Sequence, residues 1–99
     1  LKSAATEALG DGISSMQAVM VPDDECYLLG LIIEKNENLC TVFIPSAPNS
    51  TSGEIKIYDI NALLPINAKA KDVLLSLSRH GLGSNQWLMD AQNRNKKPG

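Results

Sequence analysis

Four segments of the chain carry the hydrophobic patterns of β-strands. Met16 to Val21 and Leu39 to Ile44 are short apolar runs, and Tyr27 to Glu34 is apolar nearly throughout, which is typical of a central strand or one covered on both faces. Ile55 and Ile57 alternate with polar neighbours, the pattern of a strand with one face in water. We therefore predict a sheet of about four strands.

Turn residues and one glycine punctuate these segments. Pro22 and the acidic residues 23–25 are expected to end the first strand, and the polar residues 35–38 predict a hairpin between the second and third. Gly30 indicates a bulge or the close approach of another backbone. The three adjacent carboxylates lack the spacers and turn glycine of a hard-cation site, so we interpret them as a solvated turn.

Helical periodicity appears on both sides of the predicted sheet. Apolar residues recur at helical spacing from Leu1 to Leu9, and Asn67 is expected to cap a helix over Ala68 to Gly81. Between strands and helix, residues 61–66 contain Pro65 and are predicted to be an irregular connector. The buried stripe of the second helix would consist of Ala70, Val73, Leu74 and Leu77.

Together these elements predict an α+β fold: a small antiparallel or mixed sheet of about four strands, one helix packed on it and a short N-terminal helix. We divide the chain into a helix and linker over residues 1–15, the α+β domain over 16–83 and a polar C-terminal tail over 84–99. Trp87 in that tail would either dock on the core or anchor at a bilayer interface, and we favour docking.

Charge and composition limit the classes of partner. The chain has 99 residues and a net charge of −2, with both signs mixed along its length, so it lacks the positive field that holds a nucleic-acid backbone. Its longest apolar run, residues 27–33, is far shorter than the about 20 residues of a membrane-spanning helix. We expect no nucleic-acid partner and no span within these residues.

The two cysteines, Cys26 and Cys40, match no zinc or redox spacing. If Glu34 faces Leu39 in the predicted hairpin, the two thiols lie too far apart to form a disulfide. We predict two free thiols that act as small core residues, which fits a reducing compartment.

The sequence contains no recognisable catalytic motif or set of metal ligands. His80, the single histidine, falls in the last turn of the predicted helix, where it would cap the helix and interact with its dipole. There is no G-x-S-x-G elbow to supply a nucleophile, and residues 81–83 follow a helix where a dinucleotide fingerprint must follow a strand. We predict that the protein is not an enzyme and holds no metal or cofactor.

One loop is too unusual to be a generic connection. Pro45 and Pro48 fix φ near −65° and hold the segment extended or kinked, while Gly53 permits backbone conformations that other residues resist. The hydroxyl and amide side chains between them can bond their own backbone. The candidate binding residues of this rigid loop are Pro45, Ser46, Pro48, Asn49, Thr51, Ser52 and Gly53.

The run Val42-Phe-Ile-Pro-Ser-Ala-Pro-Asn-Ser-Thr-Ser-Gly53 resembles the pattern V-F-[VI]-P-T-T-P-N-P-T-S-G of an uncharacterised two-span membrane-protein family, the domain of unknown function 502, whose plant relatives are called CONTINUOUS VASCULAR RING proteins. Pro22, Tyr27 and Gly30 follow the same family's pattern upstream, and the helix ending at Gly81 resembles its terminal helix. Ser46 and Ala47 replace threonines of the pattern, and Ser50 replaces a proline.

The resemblance implies two membrane spans ahead of this domain, a juxtamembrane role for residues 1–15, and a domain on the cytoplasmic side. It implies no activity. We therefore expect a non-catalytic interaction or self-assembly module of a membrane protein, whose partner is a second copy or another membrane protein. The alternative hypothesis is a domain that binds a small anion or a lipid headgroup through the backbone N–H groups of the loop.

Overall fold

A single antiparallel sheet organises the part of the chain that the computed structural model describes, residues 16–95. Its strands lie in the order β4-β3-β2-β1-β5, so three consecutive hairpins are followed by a fifth strand that returns beside the first. The strands are β1 (Gln17–Asp23), β2 (Cys26–Asn36), β3 (Leu39–Pro45), β4 (Gly53–Asp59) and β5 (Leu64–Lys69), and the helices are α1 (Ala70–Ser78) and α2 (Ser84–Asn95). The helix predicted from Leu1 to Leu9 lies outside the described residues.

The prediction of about four strands with one packed helix is wrong, because the sheet has five strands and two helices follow it. β5 occupies the segment predicted to be irregular. Its Pro65 is tolerated because β5 is an edge strand of the described sheet, where a missing N–H need not interrupt a ladder. Asn67 therefore lies in a strand, and α1 begins at Ala70 without a side-chain cap from Lys69.

The second helix, α2, occupies residues 84–95, which were expected to belong to a polar tail. This helix packs on β5, where Ala91 is buried and the Arg94 guanidinium donates a hydrogen bond of 3.2 Å to the Pro65 carbonyl. Trp87 is half-buried against the core, as the docking prediction expected. Neither α1 nor α2 combines the length and hydropathy that a bilayer crossing requires.

Both faces of the central strands are buried. On the helix side, Ala18, Met20, Leu31 and Phe43 pack with Ile66 of β5 and with residues of the two helices. The other face carries a second cluster, which consists of Val19, Val21, Cys40, Val42, Ile44 and Leu63. This packing on two sides explains why the middle of the second predicted strand is apolar, while Tyr27 and Ile33 nearer its ends are exposed.

The two cysteines differ from each other. Cys40 is buried in the second cluster, whereas Cys26 is exposed at the β1–β2 turn, so the prediction of two core thiols is wrong for Cys26. Both are free, and Cys26 faces Asp23. Next to the turn, the β2–β3 register is shifted by two residues from the predicted one, because Asn36 rather than Glu34 faces Leu39.

Pro22 does not end the first strand as expected. It pairs with Tyr27 near the β1–β2 turn, and β1 continues to Asp23. The pairing of β1 with β5 stops at Met20, so the missing N–H of Pro22 removes no bond to that strand.

Gly30 marks a close approach of neighbouring side chains. A Cβ at this position would lie 2.7 Å from Val42 Cγ1 and 3.2 Å from Val21 Cγ2, both of which are buried. The bulge of β2 lies further along, between Ile32 and Glu34. The glycine thus lets two valines of flanking strands close over β2 on the face opposite the helices.

We expect Gly30→Ala to lower the free energy of unfolding by about 1–3 kcal/mol, because the stiff Val42 side chain cannot move away within a packed core. Urea denaturation measures this change. Val42→Ala in the same chain should recover part of the loss relative to the sum of the two single changes, and strictly additive effects would contradict the overlap.

Candidate functional site

The loop predicted to carry function is the connection of the β3–β4 hairpin. Pro45, the last residue of β3, is buried and pairs with Gly53, the first residue of β4. The Ser46 N–H donates a 2.7 Å hydrogen bond to the Ser52 carbonyl and closes the loop at its base. The bend therefore lies between two paired strands, as its sequence indicates.

Hydrogen bonds within the loop join the Asn49 and Thr51 side chains. The Asn49 Oδ1 accepts from the Thr51 N–H at 3.2 Å and from the Thr51 hydroxyl at 2.6 Å, and the Ser52 N–H approaches the Asn49 carbonyl at 3.4 Å. Ser46, Pro48 and these three residues are exposed, and the peptide bond before Pro48 is cis. The loop thus contains an Asx turn at Asn49, which is held by the backbone and the hydroxyl of Thr51.

Gly53 is required by contact with the facing strand. A Cβ there would overlap the Ile44 carbonyl oxygen and lie 2.8 Å from Pro45 Cα. The positive-φ glycines of residues 16–95 are Gly81 and Gly83, so the freedom that matters at Gly53 is the absent side chain.

An apolar strip, which we define as Leu39, Ile55 and Ile57, lies on the β3–β4 hairpin and is exposed. Their exposed fractions are 54%, 60% and 64%. Alternation along the strands and the pairing of Phe43 with Ile55 place the strip on the helix side of the sheet. The sequence predicted that only one face of this strand lies in water. Both isoleucines are exposed as well, because the helices pack on β1 and β5 and leave this end of the face uncovered.

The opposite face of β4 carries charge. The Lys56 ammonium lies 3.6 Å from a Glu54 carboxylate oxygen, and their side chains are 50% and 69% exposed. An ion pair this exposed contributes only about 0–1 kcal/mol to stability. The order of the two opposite charges along the strand is therefore more informative than the energy of the pair. Over residues 53–57, β4 is thus apolar on one face and carries one charge of each sign on the other.

The backbone of β4 is only half satisfied by β3. Hydrogen-bonded pairs alternate along antiparallel strands, and both ends of this hairpin show the phase: Ser46 bonds to Ser52, and the Ile60 N–H donates to the Asn38 carbonyl at 2.7 Å. Glu54, Lys56 and Tyr58 therefore direct their backbone groups toward β3, while Gly53, Ile55, Ile57 and Asp59 direct theirs outward. Within residues 16–95 no strand pairs with that outer edge.

His80 lies beyond the helix rather than in its last turn. Its backbone has φ 61° and its N–H donates to the Leu77 carbonyl at 3.0 Å, while the Gly81 N–H donates to the Ser76 carbonyl at 2.7 Å. This is a Schellman motif, so His80 takes part in the helix cap through its backbone, beyond the last turn in which it was predicted. The nearby Ser84 hydroxyl donates to the Gly81 carbonyl at 2.7 Å and not to the imidazole.

Outside the loop, the described residues form several open hollows. A hollow of about 330 Å³ beside Pro45 has a mainly apolar lining that includes Leu28, Ile44 and Leu88. Across the described residues, no three His, Cys, Asp or Glu side chains lie close enough to share a metal ion. The loop and the apolar strip together form the candidate binding surface.

Sequence reasoning named the seven loop residues and missed the apolar strip beside them. The alternation of Ile55 and Ile57 was visible, but no pattern in one strand tells which face the rest of the chain covers. Comparison of the chain with protein families, curated proteins and solved structures finds no match. The family resemblance of the loop accordingly stays a prediction.

Gly53→Ala should lower the free energy of unfolding by about 2–3 kcal/mol, because the new methyl group would force β3 and β4 apart. Ser52→Ala, at the neighbouring exposed position, should change it by less than about 0.5 kcal/mol. Urea denaturation of both variants checks this, and equal effects would show that the strands do not approach as closely as described.

Proposed function

We propose that this chain is a non-catalytic protein-interaction module whose contact surface is the β3–β4 hairpin, formed by the apolar strip and the loop. The exposure of Leu39, Ile55 and Ile57 carries the proposal. Each is more than half exposed, and they lie together on one face of one hairpin. Adjacent exposed aliphatic side chains are typical of interaction surfaces.

Other exposed apolar side chains do not share the features of the strip. Leu82 is 74% exposed, but it lies in the turn between α1 and α2, where no open strand edge accompanies it. The strip borders the outward backbone groups of β4, so a partner could bury aliphatic surface and form main-chain hydrogen bonds at one place. The loop, closed by the bond between Ser46 and Ser52, lies at the end of this surface.

The rival function, binding of a small anion or a lipid headgroup at the loop, draws less support from the geometry. The Thr51 N–H and hydroxyl donate to Asn49, and the Ser46 N–H donates across the base of the loop. Lys56, the basic residue of β4, is paired with Glu54. These groups would have to give up existing bonds in order to hold an anion.

The cellular setting of the module rests on the loop's family resemblance alone. On that basis the proposal places the domain on the cytoplasmic side of a membrane, anchored by spans that are not part of these 99 residues. Its partner is then a second copy or another membrane protein. Attachment to a membrane would raise the local concentration of either partner and allow a modest contact surface to suffice.

Site-specific photo-crosslinking in cells that express the parent gene tests the contact surface. A benzoyl-phenylalanine introduced at Leu39 should give protein adducts, whereas the same probe at Leu82 should give few, although Leu82 is more exposed. Changing Ile55 and Ile57 to threonine should reduce the adducts from position 39 several-fold while the fold persists, because both side chains are largely in solvent. Equal adducts at the two positions would count against the proposal.

A further inference from the structure

We propose that the partner of the hairpin is a second copy of the chain, and that the two β4 strands pair antiparallel about a two-fold axis at Ile55. Two five-stranded sheets would thereby join into one continuous sheet of ten strands. The inference rests on the proposed interaction function and adds the partner, the strand and the register.

The backbone phase of β4 restricts the possible registers. Only Gly53, Ile55, Ile57 and Asp59 direct N–H and carbonyl groups outward, so these residues must form the hydrogen-bonded pairs with any added strand. In an antiparallel dimer, a residue whose backbone groups point outward must therefore lie opposite another such residue of the second copy. A shift of the register by one residue would leave the outward groups of both copies unpaired.

Charge then selects among the registers that remain. With Ile55 opposite Ile55 of the second copy, Glu54 of each chain faces Lys56 of the other, which gives two cross-strand ion pairs. A shift of two positions one way puts Glu54 opposite Glu54. A shift of two positions the other way puts Lys56 opposite Lys56. A further shift of two positions in that direction puts Lys56 opposite Tyr58, which leaves no ion pair.

The selected register also accounts for the apolar strip and the loop. Side chains of directly opposed residues share a face, so Ile55 of one copy contacts Ile55 of the other, and the two strips merge on the helix side of the joined sheet. Gly53 faces Ile57 of the second copy, which brings the Pro45–Gly53 loop of each chain beside the C-terminal end of the other β4. An isologous contact of this kind closes after two copies.

A single lysine on an edge strand usually protects the edge against pairing with other chains. Lys56 would act in this way if it stood alone. With Glu54 two positions away on the same face, the charge pattern becomes self-complementary in an antiparallel partner. The same two residues that oppose most registers therefore favour one.

The joined edge is small, since it consists of one strand from each copy and its flanking side chains. Interfaces below about 1,200 Å² are typical of weak complexes, so we expect a dissociation constant on the order of 0.1 mM for the free chain. Such a dimer is measurable by sedimentation equilibrium at high concentration.

Charge reversal with mixing tests the register on the 99-residue chain. Glu54→Lys alone and Lys56→Glu alone should each weaken dimerisation by about tenfold, because each places like charges opposite one another. An equimolar mixture of the two variants should form heterodimers as tight as the parent dimer, since each lysine then faces a glutamate. Glu25→Lys and Lys35→Glu change the net charge equally, lie away from the edge and should leave the parent affinity within about twofold.

Recovery in the mixture, with inert controls, would support the edge pairing centred on Ile55. A dimer that ignores both reversals would overturn the register, and loss of that dimer in the Ile55→Thr, Ile57→Thr chain would show face-to-face packing of the strips. A chain that stays monomeric to millimolar concentration would overturn self-pairing. Adducts from position 39 to a different protein would in that case leave the interaction function standing.

Discussion

β4 is held in the described sheet by β3 alone, and the consequences of that one pairing extend through the hairpin. Because hydrogen bonds alternate, the pairing satisfies Glu54, Lys56 and Tyr58 and leaves the groups of the intervening residues directed outward. It requires a glycine at position 53, where the strands converge on the loop. It also fixes which side chains of β4 lie on the helix side of the sheet and which lie on the opposite face, where Glu54 and Lys56 are found.

The helices cover only part of the sheet. A helix is about 10 Å wide with its side chains, while neighbouring strands lie about 4.8 Å apart, so one helix shields roughly two strands. α1 and α2 pack on β5 and β1, where Ala18, Ile66 and Ala91 are buried. Phe43 on β3 lies at the edge of the area that the helices cover and is almost buried, whereas Ile55 on the next strand is mostly exposed. The apolar strip is therefore a result of where the two short helices fall.

Local sequence patterns correctly predicted the features that depend on interactions between residues close in the chain. Apolar runs located the first three strands, alternation located β4, and the prolines and hydroxyls located a self-bonded turn between paired strands. β5 was missed although Leu64, Ile66 and Ala68 alternate, because Pro65 and Asn67 suggested a break and a helix cap. α2 was missed because its apolar residues are few, and its burial comes from packing on β5. Which face of β4 is left uncovered depends on the whole fold, and a single sequence does not report it.

Amide hydrogen exchange measured by NMR at two concentrations tests the central claim, that β4 presents a half-satisfied edge which a second copy completes. The amides of Lys56 and Tyr58 should exchange slowly in both samples, since their partners lie on β3. The amides of Ile55 and Ile57 should exchange fast in the dilute sample and slow down several-fold in the concentrated one. Slow exchange of Ile55 and Ile57 at every concentration, or fast exchange at every concentration, would contradict the account.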